Sequence, residues 1–573
     1  MPRLDEDACD LVIRNGLVVD GSGAEPRIAD VAIRDGMIAQ VGSVTRQGRE
    51  ELDARDRIVT PGFVDIHTHY DGHAIWEDRL NPSSFHGVTT VVMGNCGVGF
   101  APCKPHDRDR LVSLMEGVED VPEVVMTSGL TWDWESFPDY LDRLGERTYD
   151  MDVAAYLPHA PLRVFVMGER ATARDAATPE DVAVMRTIAR EAIAAGALGF
   201  STSRTLNHRA RDGWLTPSYA AGERELTGIA AGLADAGSGV LQLISDFDTV
   251  EPEFAMLQRV AQSSGRPLSI SLMQQSHAPE RWKSVLQLID RANSDGIEVT
   301  AQVAPRPVGA ILGLEAFHNP FSFCPAYGAI EDLSFGERLQ AMRDPEVRRR
   351  LVAEFPEAVS GKRASYWRLE NMYPMADRPD YEPLAGDSIA GQAKNLGISP
   401  VEHAYDLTIA EGGKRMIYMP TSNYVGGRID AVRTMLANPH TLIGLGDGGA
   451  HCSSICDASF QTYAMSRWAK GDDGLTMAQV VGKLTWNNAK FMRLADRGLL
   501  KPGMRADINV INPDEVGLFA PEMVYDLPTG RGRLRQRASG YDLTIVAGVP
   551  TYRDGLATDE LPGRLVRGSG YRR

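Results

Sequence analysis

Two histidines one residue apart, His67 and His69, follow the apolar run Pro61-Gly62-Phe63-Val64-Asp65-Ile66. If Phe63 to His67 is a strand, the two side chains share a face, because residues two apart on a strand point the same way. Both imidazoles then converge at one strand end. Neutral imidazole is a good zinc ligand, and a rigid strand fixes the angle between the two nitrogens. Thr60-Pro61-Gly62 precedes the run and Tyr70-Asp71-Gly72 follows it, so the pair sits at the strand's C-terminal end, where α/β enzymes carry their chemistry.

Other reactive side chains fall at equivalent places. Cys96 follows the apolar stretch Val91-Val92-Met93-Gly94-Asn95; as a buried thiol it is inert, and beside a divalent cation it is a thiolate ligand. Asp447 and His451 follow Leu442-Ile443-Gly444-Leu445. If that stretch is the last strand of a barrel, closure makes it the neighbour of the first, and Asp447 becomes a neighbour of the histidine pair in space. His159, Arg163, Arg204, Arg306 and His451 complete a set of substrate-binding candidates. A guanidinium suits a carboxylate bidentately, and the alternative for each arginine is a salt bridge on the rim.

These placements require a particular scaffold. Strand-like runs Thr89–Met93, Val153–Leu157, Leu198–Ser201, Val240–Ser245, Leu268–Met273, Glu298–Val303 and Thr441–Leu445 are separated mostly by helical stretches, of which Thr178–Ala195 is the clearest. That alternation is the signature of an α/β fold, a (β/α)8 TIM-like barrel. Residues 10–60 read instead as short antiparallel strands with turns between them, and a similar pattern returns at Ala506–Asn512 and Tyr541–Val549. Residues 1–60 and 485–573 are therefore expected to build one small β-sandwich domain bracketing a barrel of residues 61–484. Residues of about 305–414 are too many for a barrel loop; with a helical stretch at Glu331–Arg350 they read as an insertion, either a lid at the mouth or a surface elaboration. Arg415–Met419 is a ninth candidate strand.

Composition narrows the function. The 573 residues carry a net charge of −17 with no Lys/Arg block, which argues against nucleic acid or an anionic membrane as partner and for a small-molecule substrate. No apolar run is long enough to span a bilayer, and the N-terminus MPRLDEDACD is acidic, so a cytoplasmic protein is expected, with a homo-oligomer allowed. The six cysteines are too sparse for a disulfide framework and include no Cys-x-x-Cys pair.

Taken together, the segments PGFVDIHTHYD (61–71), GVTTVVMGNCGVGFAP (87–102), LPHAPLR (157–163), TPEDVAVM through GALGFST (178–202), GLGDGGAH (444–451) and LTWNNAKFMRLADRGLLKPGMRADINVINPDEV (484–516) resemble the amidohydrolase superfamily. Within it they are similar to the D-aminoacylase or N-acyl-D-amino-acid deacylase family. The resemblance implies a zinc hydrolase of amide bonds with one or two divalent ions, held by the His-x-His pair, the cysteine and two further histidines on strands five and six, with the strand-eight aspartate as base. His67, His69, Cys96 and Asp447 match. The two later histidines do not: the corresponding strand ends read Leu243-Ile244-Ser245-Asp246 and Ser271-Leu272-Met273-Gln274-Gln275. Either His67, His69, Cys96 and Asp447 hold the metal alone, or Asp246, Gln274 or His277 substitutes, or the site is degraded. The function implied is hydrolysis of an N-acyl-D-amino acid or similar N-acyl compound. The alternatives are a cyclic amide or imide hydrolase and a non-catalytic binding protein.

Overall fold

The computed structural model describes residues 8–471 and 474–572. Eight short strands rich in Val, Ile, Leu and Ala form a parallel sheet in which each pairs with the next in chain order: β1 (Phe63–Asp65), β2 (Val88–Met93), β3 (Asp152–Pro158), β4 (Gly199–Arg204), β5 (Val240–Ser245), β6 (Leu268–Ser271), β7 (Val299–Val303) and β8 (Thr441–Ile443). Every residue of β1, β2 and β3 is buried, as parallel strands covered on both faces require. Helices return the chain between strands. The one at Pro179–Ala194 starts at a capping box between Thr178 and Asp181, which satisfies two of the amides that open a helix.

Closure of the barrel is unusual in its detail. β1 and β8 share no strand ladder; the chain just beyond them makes the join instead. Thr68 bridges Gly448 in parallel, the Asp447 amide donates to the His67 carbonyl at 3.0 Å, and the His69 amide donates to the Gly448 carbonyl at 2.7 Å. Below that seam, the Asn488 side chain donates to the carbonyls of Val64 on β1 and Ile443 on β8, at 2.8 and 2.9 Å. Asn488 belongs to a helix, Trp486–Phe491, whose Ala489 and Phe491 pack with Val64, Ile66 and Leu442. The segment just after residue 485 thus packs on the barrel, and the C-terminal sheet strands begin at Ile508.

The terminal segments build one nine-stranded sheet. Five strands come from the N-terminal side, Cys9–Val18, Arg27–Arg34, Met37–Gly42, Gly48–Asp53 and Ile58–Pro61, and four from the C-terminal side, Ile508–Ile511, Tyr541–Val546, Val549–Arg553 and Leu556–Ala557. It is not wholly antiparallel, since Gly48–Asp53 and Ile58–Pro61 both run parallel to Cys9–Val18. Leu11, Ile13, Val31, Ile33, Ile508, Val510 and Ile545 fill a core separate from that of the barrel.

The long connection after β7 is a subdomain with its own apolar centre, including Leu312, Phe321, Leu351, Phe355, Trp367 and Tyr405. The expected helical stretch is two helices, Phe335–Met342 and Pro345–Ala358, and the ninth candidate strand is Ile417–Ser422, which pairs antiparallel with Val308–Leu312 and Tyr373–Pro374. The subdomain touches the barrel mouth through amides of Ile311 and Phe317 donating to carbonyls of Ser454 and Ser453, both at 2.8 Å.

Candidate active site

β1 stops two residues earlier than its sequence suggests because the Asp65 carboxylate replaces a ladder partner, accepting from the His67 amide at 3.1 Å. His67 and His69 therefore sit just beyond the strand, both almost wholly buried. Gln302 on β7 lies behind the first: its Oε1 is 2.6 Å from His67 Nδ1, so that nitrogen carries the proton and Nε2 faces the centre. There it meets Cys96 Sγ at 3.3 Å and Asp447 Oδ1 at 3.3 Å. His69 Nε2 lies 3.6 Å from the same Asp447 oxygen, while its Nδ1 faces Glu119 Oε1 at 3.4 Å.

Backbone geometry is bent to achieve this. Cys96, Leu445, Asp447 and His451 all lie in the left-handed region, at φ of 55°, 64°, 48° and 55°. Each such non-glycine residue costs on the order of 1–2 kcal/mol, and they gather where the strands end. Gly446 is needed between them because a Cβ there would lie 2.6 Å from Asp65 Oδ2.

The charge balance is strongly directional. Burial alone pushes the Asp447 carboxyl up, but the facing His69 N–H and the positive potential of His67, His69 and His451 leave it well below the usual carboxylate range. Burial pushes His69 down, and Glu119, Asp447 and Cys96 outweigh it, so that this imidazole holds its proton far above the ordinary histidine range. Burial lowers His67 to about 4 and raises the Cys96 thiol to about 12. Acidic groups crowded around two imidazoles suit a bound cation, under which Cys96 would ionise.

Zinc fits these residues. Donor atoms of His67, His69 and Cys96 lie within 4.8 Å of one another, and Asp447 stands beside the two imidazoles, outside that group of three. Ligand bonds of about 2.0–2.3 Å place neighbouring donors of a tetrahedral ion roughly 3.3–3.7 Å apart. The separations His67 to Cys96, His67 to Asp447 and His69 to Asp447, at 3.3, 3.3 and 3.6 Å, fall in that range. Asp447 Oδ1 is buried without a hydrogen-bond partner, as a polar atom built for an ion would be.

The other candidates are placed differently. His451 is at the centre's edge, its Nε2 3.9 Å from both Glu119 Oε2 and Asp447 Oδ2. His159 is fully buried between Thr202 Oγ1 and Glu225 Oε1, 2.8 Å from each, and Arg163 pairs with the same glutamate. Arg306 is buried against Asp457 at 2.8 Å, with its guanidinium 3.8 Å from the Tyr381 ring. The geometry lends no support to the expectation that His159, Arg163 and Arg306 meet substrate: each is enclosed and paired with a carboxylate of the protein, the Nε atoms of both arginines being buried without a partner. Arg204 is half-buried and held by Glu253 at 2.5 Å and the Ala221 carbonyl at 2.6 Å.

None of the three suggested replacement ligands reaches the centre. Asp246 accepts from Thr205 and Leu206, at 2.5 and 2.8 Å, the backbone and side-chain amides of Gln274 donate to Asn423 and Pro279, and His277 is exposed. Ile244, Leu272 and Met273 line a cavity of about 60 Å³ at the ends of β5 and β6.

Three residues escaped the sequence reading. Gln302 was legible as a long polar side chain in the mostly apolar strand Val299–Val303. Glu119 ends α1 (Arg108–Glu119), and nothing in that helix marks its last residue. His208, in the loop after β4, is held by Ser203 Oγ at 2.9 Å, and burial first, then the positive potential of His69 and His451, depress it to about 3.

A profile of the amidohydrolase family matches residues 50–552. N-acyl-D-glutamate deacylase of Alcaligenes xylosoxydans xylosoxydans is 26% identical over 98% of this chain and 97% of its own. D-aminoacylase of the same organism is 34% identical over 203 residues, 35% of this chain and 39% of its own. Among solved structures, N-acyl-D-glutamate deacylase from Bordetella bronchiseptica, complexed with zinc and a phosphonate mimic of the tetrahedral intermediate, superposes with a TM-score of 0.64 at 23% identity, covering 98% of this chain and all of that one. The chain belongs to the amidohydrolase family and is a hydrolase of carbon–nitrogen bonds other than peptide bonds.

Proposed function

We propose that the protein is a metal-dependent, cytoplasmic amidohydrolase that releases the acyl group of an N-acyl-D-amino acid or a similar N-acyl compound. The observation that carries this reading is the convergence of His67, His69 and Cys96 donor atoms with Asp447 at the seam of the barrel. Those four residues would hold a zinc ion, which supplies a Lewis acid and brings the pKa of a water to about 7. Asp447 takes the proton of the attacking water and passes it to the leaving nitrogen, a role suited to a carboxylate that stays ionised at neutral pH. His451 lies beside Asp447, 3.9 Å away, and is partly open to solvent.

A second reading is favoured by one observation. Arg163, Arg204 and Arg306 are all engaged by carboxylates of the protein, so none presents an unpaired guanidinium to a substrate carboxylate. A cyclic amide or imide needs no such partner.

Elemental analysis of wild type and His67→Ala, with N-acetyl-D-amino acids assayed beside hydantoins and imides, tests both. About one zinc per chain, lost in the variant, with acid release from the N-acyl panel, supports the first reading. Turnover of rings alone supports the second, and a metal-free wild type refutes metal dependence.

A further inference from the structure

Both imidazoles of the centre are gripped from behind, and by chemically different groups. His67 Nδ1 meets a neutral amide, Gln302, at 2.6 Å. His69 Nδ1 meets a carboxylate, Glu119, at 3.4 Å. Glu119 is 2% exposed, and neither its Oε1 nor His69 Nδ1 has a hydrogen-bond partner elsewhere. The gap is a few tenths of an ångström longer than a formed hydrogen bond, within what metal-free sites show before they tighten.

The fold brings Glu119 here from outside the barrel strands. It is the last residue of α1, and the residue after it turns the chain into the left-handed region, with Asp120 at φ 52°. The Asp120 carboxylate accepts from the Ser453 amide at 3.0 Å and from the Ser454 hydroxyl at 2.9 Å. The Glu119 carbonyl accepts from the His451 amide. The end of α1 is thus fastened to the loop that carries Asp447, and Glu119 projects between that loop and His69. Its other carboxylate oxygen faces His451 Nε2 at 3.9 Å.

We propose that Glu119 is a positioning residue of the metal centre: its carboxylate fixes the proton of His69 on Nδ1, aims Nε2 at the metal position, and makes this imidazole a stronger donor than His67. The proposal rests on the metal-dependent reading above. A carboxylate behind a ligating imidazole sets its tautomer and raises its basicity, and losing such a partner typically weakens metal binding about 10–100-fold. The neutral amide behind His67 sets the tautomer without that gain.

Glu119→Gln gives His69 the kind of partner that His67 already has, at nearly constant volume. In a competition assay against a chromophoric chelator, its zinc dissociation constant is expected to rise about 10–100-fold. Its cobalt-substituted form is expected to show shifted visible bands. Asp120→Asn loosens the same helix end without touching His69 and is expected to leave zinc affinity near that of wild type. Wild-type affinity in Glu119→Gln would overturn the proposal, as would an equal loss in Asp120→Asn, which would mean that the helix end acts only as a brace. Should Glu119→Gln fail to fold, ¹⁵N-histidine spectra of the zinc-loaded wild type decide: zinc on His69 Nε2 with a hydrogen-bonded proton on Nδ1 supports it, and zinc on Nδ1 overturns it. A wild type that takes up no zinc removes the metal-dependent reading, and this proposal with it.

Discussion

A single carboxylate, Asp447, touches both imidazoles and so has two separable properties, its charge and its shape. Asp447→Asn keeps the shape and an acceptor oxygen while removing the basic site. Because positioned general bases contribute roughly 10²–10⁴-fold, kcat is expected to fall by about that factor while zinc content stays near wild type. Parallel measurements of kcat and metal per chain check this, and full activity in the variant would move the base elsewhere. The residues of this centre were legible in unequal measure. His67, His69, Cys96 and Asp447 lie directly past strand ends, where chain position reveals spatial position. Glu119 was invisible because a helix terminus is delivered to the barrel mouth by tertiary contacts. The enclosure of His159, Arg163 and Arg306 was hidden for the opposite reason: strand-end position does not say whether a buried carboxylate such as Glu225 or Asp457 already claims the side chain.

At the scale of elements, the joint between β1 and β8 is the least regular part of the barrel. Periodicity and turn residues gave all eight strands, yet they could not show that the first and last fail to pair directly, since pairing across a closure depends on the chain beyond both. Asn488 compensates from below by donating to a carbonyl on each strand. Asn488→Ala would leave both carbonyls buried and unpaired, and is expected to destabilise the protein by about 2–4 kcal/mol. A lowered denaturation midpoint with unchanged m-value is the measurement, and a midpoint within error of wild type would refute the role. A second joint ties sheet to barrel: Asp150 accepts from the Leu80 amide and from the Tyr552 hydroxyl, at 3.1 and 3.0 Å. Burial raises Asp150 from 3.8 to about 6. Its folded pKa exceeds its unfolded one, so its contribution is complete below about pH 4 and is lost as pH climbs through about 6, a swing of roughly 3 kcal/mol. Asp150→Asn keeps an acceptor for Leu80 without titrating. The melting temperature of the variant relative to wild type is expected to rise between pH 4 and pH 7, and a constant difference would argue against the shift.

Across the whole molecule, the N-terminal strands and those between Ile508 and Ala557 meet in one sheet, and the chain beyond it returns to the barrel, where Gly563 bridges Tyr149 and Leu565 bridges Val153. The pairing of distant ends was readable because both segments share short strands punctuated by glycine turns. The parallel placement of Gly48–Asp53 and Ile58–Pro61 was not, since strand direction depends on how the connecting turns route the chain. The closure itself carries a further meaning. His67, His69, Asp447 and Gly448 are at once the residues that join the barrel's two edges and, on the metal-dependent reading proposed above, the neighbours of the metal position. Barrel closure and assembly of the donor set are therefore one event, and an ion held by residues from both edges acts as a clasp. By mass action, stripping the metal with a chelator is expected to lower the melting temperature, with each tenfold change in free zinc above the dissociation constant worth about 1.4 kcal/mol. Amides of His69 and Asp447 would then exchange with solvent faster in the stripped protein, while those in the terminal sheet stay unchanged. The reactive centre of this hydrolase would in that sense also be its fastening, so that a chain with an open barrel has no catalytic power to misuse.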